Sequence, residues 1–175
     1  MTREEFAKLA MALRSYYPNQ NLLPTKQAAE LWYRQLQDIS YNVAVLALNK
    51  WVAVNKWAPT IADLREQTAD CLGEEIPDWS EAWADVMRII SYYGSWNVEG
   101  GKARLSGIAL ETVNRMGYMR LCCSENIVAD RANFRDIYEN LAKREKQRRQ
   151  MPAALLKAVG AVRYKMIGEK EESNG

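Results

Sequence analysis

From Thr2 to Leu141 the apolar residues of this chain recur at intervals of three and four, and nowhere does a sustained alternation of apolar and polar residues appear. A period near 3.6 describes the buried stripe of a helix, whereas a half-buried strand needs a period of two. The chain is therefore predicted to be all-α. Thr2 with Glu5 has the spacing of a capping box, and Phe6, Leu9, Ala10, Leu13 and Tyr17 follow at helical intervals until Pro18. Pro24 and Thr25 open a second helix with Ala28, Leu31, Trp32 and Leu36 on its apolar face. Ser40 is positioned to cap a third, with Val43, Ala47 and Val54 on one side. Trp57-Ala58-Pro59 ends it, because the residue before a proline is pushed away from helical dihedrals. Thr60 with Asp63 caps a fourth helix through Ile61, Leu64, Thr68 and Leu72.

The run from Gly73 to Pro77 combines a helix-stopping glycine, two acids and a proline, and reads as a connector. Residues 1–76 are thus expected to form a four-helix amino-terminal domain, 77–141 a central helical region and 142–175 a basic, partly flexible segment. In the central region Ser80 starts a helix carrying Trp83, Val86, Met87 and Ile90, which ends near Gly94, and residues 94–102 read as a glycine-rich loop. Ser106 caps a helix through Val113 and Met116 that Gly117 stops, while 118–123 is ambiguous between a short helix and an extended turn. Helical spacing returns in Ile127, Phe134, Ile137, Tyr138 and Leu141. Beyond Leu141 the apolar face is lost, Met151-Pro152 interrupts the run, 153–162 is a short apolar stretch, and 167–175 is polar enough to remain without structure.

Composition excludes most enzyme chemistry. Among 175 residues there is no histidine, so the usual neutral-pH acid–base group and every Ser/His or Cys/His nucleophile pair are missing. Cys71, Cys122 and Cys123 lack the paired spacings of a structural zinc site and read as reduced, packed thiols. Gly94, Gly100 and Gly101 do not make a Walker loop, and no Gly-Lys-Ser/Thr occurs. Acidic pairs such as Asp63 with Glu66, or Asp130 with Asp136, have the spacing of a solvated helix surface. The expectation is a binding protein with no catalytic residue, cofactor or metal. With no signal peptide and no run of about 18 apolar residues, it is expected to avoid membranes and to work in the cytoplasm.

Charge is unevenly spread. Residues 1–78 hold 8 basic and 10 acidic side chains, whereas 130–175 hold 11 and 7. Lys143, Arg144, Lys146, Arg148 and Arg149 follow one another with Glu145 as the lone acid among them. Such a run can neutralise phosphates in weak, salt-dependent, sequence-independent DNA binding, and equally it can be a solvated helix end whose cations suit the dipole. Next to it, Met151, Leu155, Leu156 and Val159 form an apolar module of the kind that docks into a partner's groove. Trp32, Trp51, Trp79 and Trp83 sit beside apolar neighbours and read as core, whereas Trp57, at a helix end, and Trp96, in the glycine-rich loop, are candidates for partner contacts.

Three blocks resemble the phage-encoded loaders and inhibitors of the bacterial replicative helicase: Met1-Thr-Arg-Glu-Glu-Phe6 with Tyr16-Tyr-Pro18; the stretch from Leu31-Trp-Tyr-Arg through Asp63-Leu-Arg-Glu66; and Cys123-Ser-Glu-Asn-Ile127 with Asp130-Arg-Ala-Asn-Phe134. The resemblance implies a small, ATP-independent protein with a helical amino-terminal domain and a flexible carboxyl-terminal region. Such proteins bind the hexameric replicative helicase, hold it inactive and hand it to an origin-bound initiator. The resemblance further implies that residues 143–162 engage the helicase. The chain departs from the shortest members by its central helices, 80–141. Two other readings remain open at this stage: a DNA-binding replication organiser, and a host-takeover inhibitor acting on another host protein.

Overall fold

Thr2 behaves as its spacing predicts: its hydroxyl accepts from the Glu5 amide at 3.2 Å and the Glu5 carboxylate accepts from the Thr2 amide at 2.7 Å. Two orphan donors of the first turn are thereby satisfied. In this computed structural model, which describes residues 1–172, ten α-helices follow: α1 (Arg3–Tyr16), α2 (Lys26–Leu36), α3 (Tyr41–Val54), α4 (Ile61–Leu72), α5 (Trp79–Tyr93), α6 (Val98–Lys102), α7 (Gly107–Met116), α8 (Tyr118–Cys122), α9 (Ile127–Gln150) and α10 (Ala153–Glu172). No strand occurs among the described residues, and none of their helices is long and apolar enough to cross a membrane. The helices divide into two units, Met1–Glu74 with the segment from Lys146 onward, and Glu75–Glu145. The basic segment is thus grouped with the amino-terminal helices rather than standing apart as a third region. Helical backbone continues through 167–172, where the polar sequence predicts none, and residues 173–175 of that stretch lie outside the described residues.

In the amino-terminal unit, Phe6, Leu9, Leu13, Leu23, Leu36, Ile39, Ala44, Leu48 and Leu64 form the buried core. Two sequence expectations shift by a turn. Leu31 is 61% exposed and Val54 80% exposed, because α2 turns Ala29, Trp32, Tyr33 and Leu36 inward and α3 turns Ala44, Ala47 and Leu48 inward. Close packing of α3 on α4 needs the small Ala44 and Ala47 at the interface, so size overrides hydropathy there. Ser40 stands at the α3 amino terminus without a side-chain cap bond. Trp51 is half-buried, and its indole N–H donates to the Trp57 carbonyl at 2.8 Å. Leu23 takes φ 53, a left-handed conformation that costs a branched residue energy; its burial and the Arg14 guanidinium, which donates to the Leu22 and Leu23 carbonyls, hold it there.

The first two resembling blocks meet in space. Arg3 pairs with Glu30 at 2.5 Å and lies 4.8 Å over the Tyr33 ring, and Phe6 packs edge-on to Tyr33 at 5.6 Å. Tyr17 is buried and its hydroxyl donates to the Asn55 carbonyl at 3.2 Å.

In the unit Glu75–Glu145 the core is Trp83, Val86, Ile90, Leu105, Val113, Met116, Tyr118, Leu121, Phe134 and Tyr138. Trp83 and Phe134 are 5.2 Å apart, Phe134 and Tyr138 are stacked at 5.6 Å, and the Tyr138 hydroxyl donates to the Pro77 carbonyl at 3.0 Å. Asp78, not Ser80, caps α5. The expected loop at 94–102 contains α6, capped by the Asn97 side chain, which accepts from Gly100. Glycine-rich sequence hides this short helix, whose Gly101 is buried against Tyr118. The third resembling block is a helix start: Ser124 accepts from the Asn126 amide, Asn126 accepts from the Ala129 amide, and buried Asp130 accepts from Arg120 at 2.8 Å.

Fully buried Leu48 and half-buried Trp51 should separate in urea denaturation. Leu48→Ala is expected to cost about 2–5 kcal/mol and Trp51→Ala about 1–3 kcal/mol, below the cost of a fully buried tryptophan. Gly101→Ala drives a Cβ into the Tyr118 phenol and should destabilise its unit by about 1–3 kcal/mol. A wild-type melt for Gly101→Ala, or a larger loss for Trp51 than for Leu48, would contradict this packing.

Candidate partner-binding surface

After Leu141, α9 runs on for more than two turns with Lys143, Arg144, Lys146, Arg148 and Arg149 all exposed. Cations at a helix carboxyl end are stabilised by its dipole. Arg149 is drawn back onto its own chain: its Nη1 donates to the Glu74 carbonyl at 2.7 Å, and its guanidinium lies where a side chain on Gly73 would stand. Arg148 also has a partner, leaving Lys143, Arg144 and Lys146 as the cations best placed to meet an outside phosphate or carboxylate.

The junction between α9 and α10 is docked on the amino-terminal helices. Arg65, on the buried face of α4 beside Leu64 and Thr68, is only 8% exposed. Its guanidinium grips Asp38 with both arms, Nη1 to Oδ1 and Nη2 to Oδ2 at 2.9 Å each. The same Nη1 donates to the Gln35 carbonyl at 2.5 Å, and Nε donates to the Gln150 carbonyl. Asp38 Oδ2 then accepts from the Ala153 amide, at a long 3.4 Å. One ion pair therefore serves three helix ends: Arg65 satisfies late carbonyls of α2 and α9, and Asp38 sits at the first amide of α10. Each charge has the sign that its helix terminus favours. A planar guanidinium with five donors can divide itself among these acceptors, which a lysine ammonium cannot do in the same geometry. Hydrogen bonds from Arg65 hold the Asp38 carboxyl below the usual range, against the opposing effect of partial burial.

Beside this clamp lies an open groove of about 720 Å³ lined by Gln35, Ile61, Ala62, Arg65, Gln147, Gln150, Met151 and Pro152. Beyond it α10 projects with little covering. Leu155, Val159 and Val162, at helical spacing, are 47%, 48% and 60% exposed, while Leu156 is half-buried and Met151 exposed. The two candidate tryptophans fall in different units. Trp57 is 74% exposed on a backbone pinned by the Trp51 indole and by the Gln20 side chain, which accepts from Ala58. Trp96, 80% exposed, lies against Gly94, whose φ of +59 and lack of Cβ admit the ring.

These helices carry the clamp and the second resembling block together. Residues 1–65 match the family model for the N-terminal domain of a phage helicase loader/inhibitor. The amino-terminal domain is thus of the phage helicase loader/inhibitor family, as its sequence blocks suggest, and that family is not a catalytic one. No curated protein and no solved structure gives a match. The matched stretch includes Gln35, Asp38 and Arg65, so the residues that hold the junction belong to the loader-type domain itself.

Sequence reasoning missed the clamp. Arg65 stands on the apolar stripe of α4 between Ile61, Leu64 and Thr68, and a cation on a buried stripe is a signal of a buried partner. Asp38 and Gln150 gave no such signal, being ordinary polar residues near helix ends.

Asp38 should make the docking acid-sensitive in one direction. A carboxyl held below its ordinary value contributes stability that is complete above the usual aspartate range and is lost as pH falls through the lowered value. Protection of the Ala153 amide in NMR exchange should therefore hold from neutral pH down to that range and fail only in more acidic solution. Asp38→Asn should abolish this acid step; an unchanged step in that variant would assign it to another group.

Proposed function

We propose that this protein binds the hexameric replicative helicase through α10 and the basic end of α9, holds it inactive, and passes it to an origin-bound initiator during phage DNA replication. The observation that carries the reading is the match of residues 1–65 to a loader/inhibitor domain, supported by an exposed apolar stripe on a helix docked to that same domain. Leu155, Val159 and Val162 supply contact area that water covers poorly, and Leu156 and Met151 extend it. Exposed Lys143, Arg144 and Lys146 steer the encounter with an acidic surface. The same three cations favour a second, weak contact with DNA phosphates, which makes helicase delivery onto DNA easier without reading sequence. The host cytoplasm is the compartment where such a partner is met. ATP hydrolysis is not part of this mechanism, since the chain has no phosphate-binding loop.

Apolar anchors and rim charges should separate kinetically, because truncating a buried anchor mainly raises the dissociation rate whereas a rim charge alters association and salt dependence. Leu155→Ala with Leu156→Ala is expected to weaken a helicase complex at any salt by about tenfold or more, which is about 1.4 kcal/mol. Charge reversal at Lys143 and Lys146 should matter mainly at low salt. A chain ending at residue 152 keeps the Gln150 carbonyl on Arg65, so it should fold and yet lose helicase control; a cut after Leu141 strips that acceptor from a buried guanidinium and is the poorer test. Full-strength inhibition by the shortened chain would move the site into the helical body, with Trp57 and Trp96 next to be replaced.

A further inference from the structure

Arg65 is a buried cation whose hydrogen bonds all run to backbone or carboxylate outside its own helix. Two of its acceptors, Gln35 and Asp38, belong to the amino-terminal helices, and the third, the Gln150 carbonyl, lies at the end of α9 where the chain turns into α10. Together with the Asp38 bond to Ala153, these contacts fix both sides of the Met151-Pro152 break. The direction in which α10 leaves the domain is set at that break, since the helix beyond it is largely exposed.

What the clamp does to the apolar stripe separates two kinds of device. An autoinhibitory strap buries its own binding residues until a partner releases it. Here the clamp is closed and Leu155, Val159 and Val162 remain about half exposed or more. The stripe is presented. A helix held in a fixed direction loses less freedom on binding than one swinging from a loose joint, and this difference appears directly in affinity.

We propose that Arg65 is a positioning residue: clamped to Asp38 and Gln150, it fixes α10 on the loader-type domain so that the apolar stripe is presented, ready for the helicase. This rests on the reading that α10 meets the helicase, and it adds that the amino-terminal domain acts on affinity through Arg65 without itself having to touch the partner.

Full-length Arg65→Lys tests it, because the ammonium keeps the charge and loses the fork. Asp38→Asn is the milder companion, leaving Arg65 its bonds to Gln35 and Gln150 and protecting the experiment against a variant that fails to fold. Two readouts are taken on each: hydrogen exchange of the amides at 153–156 in the free protein, and affinity for purified helicase hexamer. Exchange at 153–156 is expected to accelerate by about tenfold or more in Arg65→Lys while the amides of Leu9 and Leu13 keep their protection, a local opening rather than a global one. Helicase affinity should fall by about threefold to tenfold as the arm loses its preset direction, with Asp38→Asn shifted the same way by less. Unchanged exchange at 153–156 in a folded Arg65→Lys would overturn the clamp. Faster exchange with unchanged affinity would overturn presentation, and tighter binding would show an autoinhibitory strap instead. Failure of the wild-type protein to bind helicase overturns the functional reading itself, and is told apart because it appears before any variant is compared.

Discussion

A single buried guanidinium decides how the amino-terminal unit is assembled. Arg65 has its desolvation offset by a bidentate carboxylate and two helix-end carbonyls, and Asp38 is shared in turn with the first amide of α10. Buried ion pairs seldom add much stability over an apolar substitute, but breaking one by removing a partner is costly, because a charge is left stranded. Their usual contribution is to select one arrangement over its neighbours. Here the selected arrangement is the place where a long, largely uncovered helix leaves the domain.

Around that point the unit is built by ordinary means. Capping boxes at Thr2 and Thr60 start α1 and α4, and Ala44 and Ala47 let α3 approach its neighbours closely. Arg3, Phe6, Glu30 and Tyr33 join the first two family-like blocks into one contact, so their co-occurrence in the sequence reflects packing rather than a binding site. The third block has a similar explanation in the other unit, where Ser124, Asn126 and Asp130 start α9. Motifs that mark the family are, in these instances, mostly devices that start helices and hold them together. The surface offered to a partner is made of less distinctive residues: leucines, valines and lysines.

Much of the fold was legible in advance because its signals are local. Thr2 and Glu5, or Thr60 and Asp63, need only three residues of context to be read as caps, and a stripe such as Phe6, Leu9, Leu13 needs only the helical period. Errors arose where a neighbour overruled the local signal. Val54 and Leu31 are apolar and lie near the expected stripes, yet the partner helices cover alanines and aromatics a fraction of a turn away. Residues 94–102 looked like a loop because glycine is a poor helix former, and Asn97 capping with Gly101 set against Tyr118 makes a short helix there. Of the candidate site, the basic run and the apolar module were visible as composition, whereas Arg149's engagement with Glu74 was not.

The sequence by itself determined the all-helical class, the helix starts, the lack of histidine-based and Walker-type chemistry and the likeness to helicase loaders, since each depends on residue type and short spacing. Tertiary structure alone decided that the basic segment belongs with the amino-terminal helices, that Arg65 rather than any surface cation governs it, and that the stripe on α10 faces out. Those outcomes hang on contacts between residues as far apart as Gln35, Arg65 and Gln150. No short-range pattern encodes such a meeting, because whether a buried charge finds its partners depends on where whole helices come to rest.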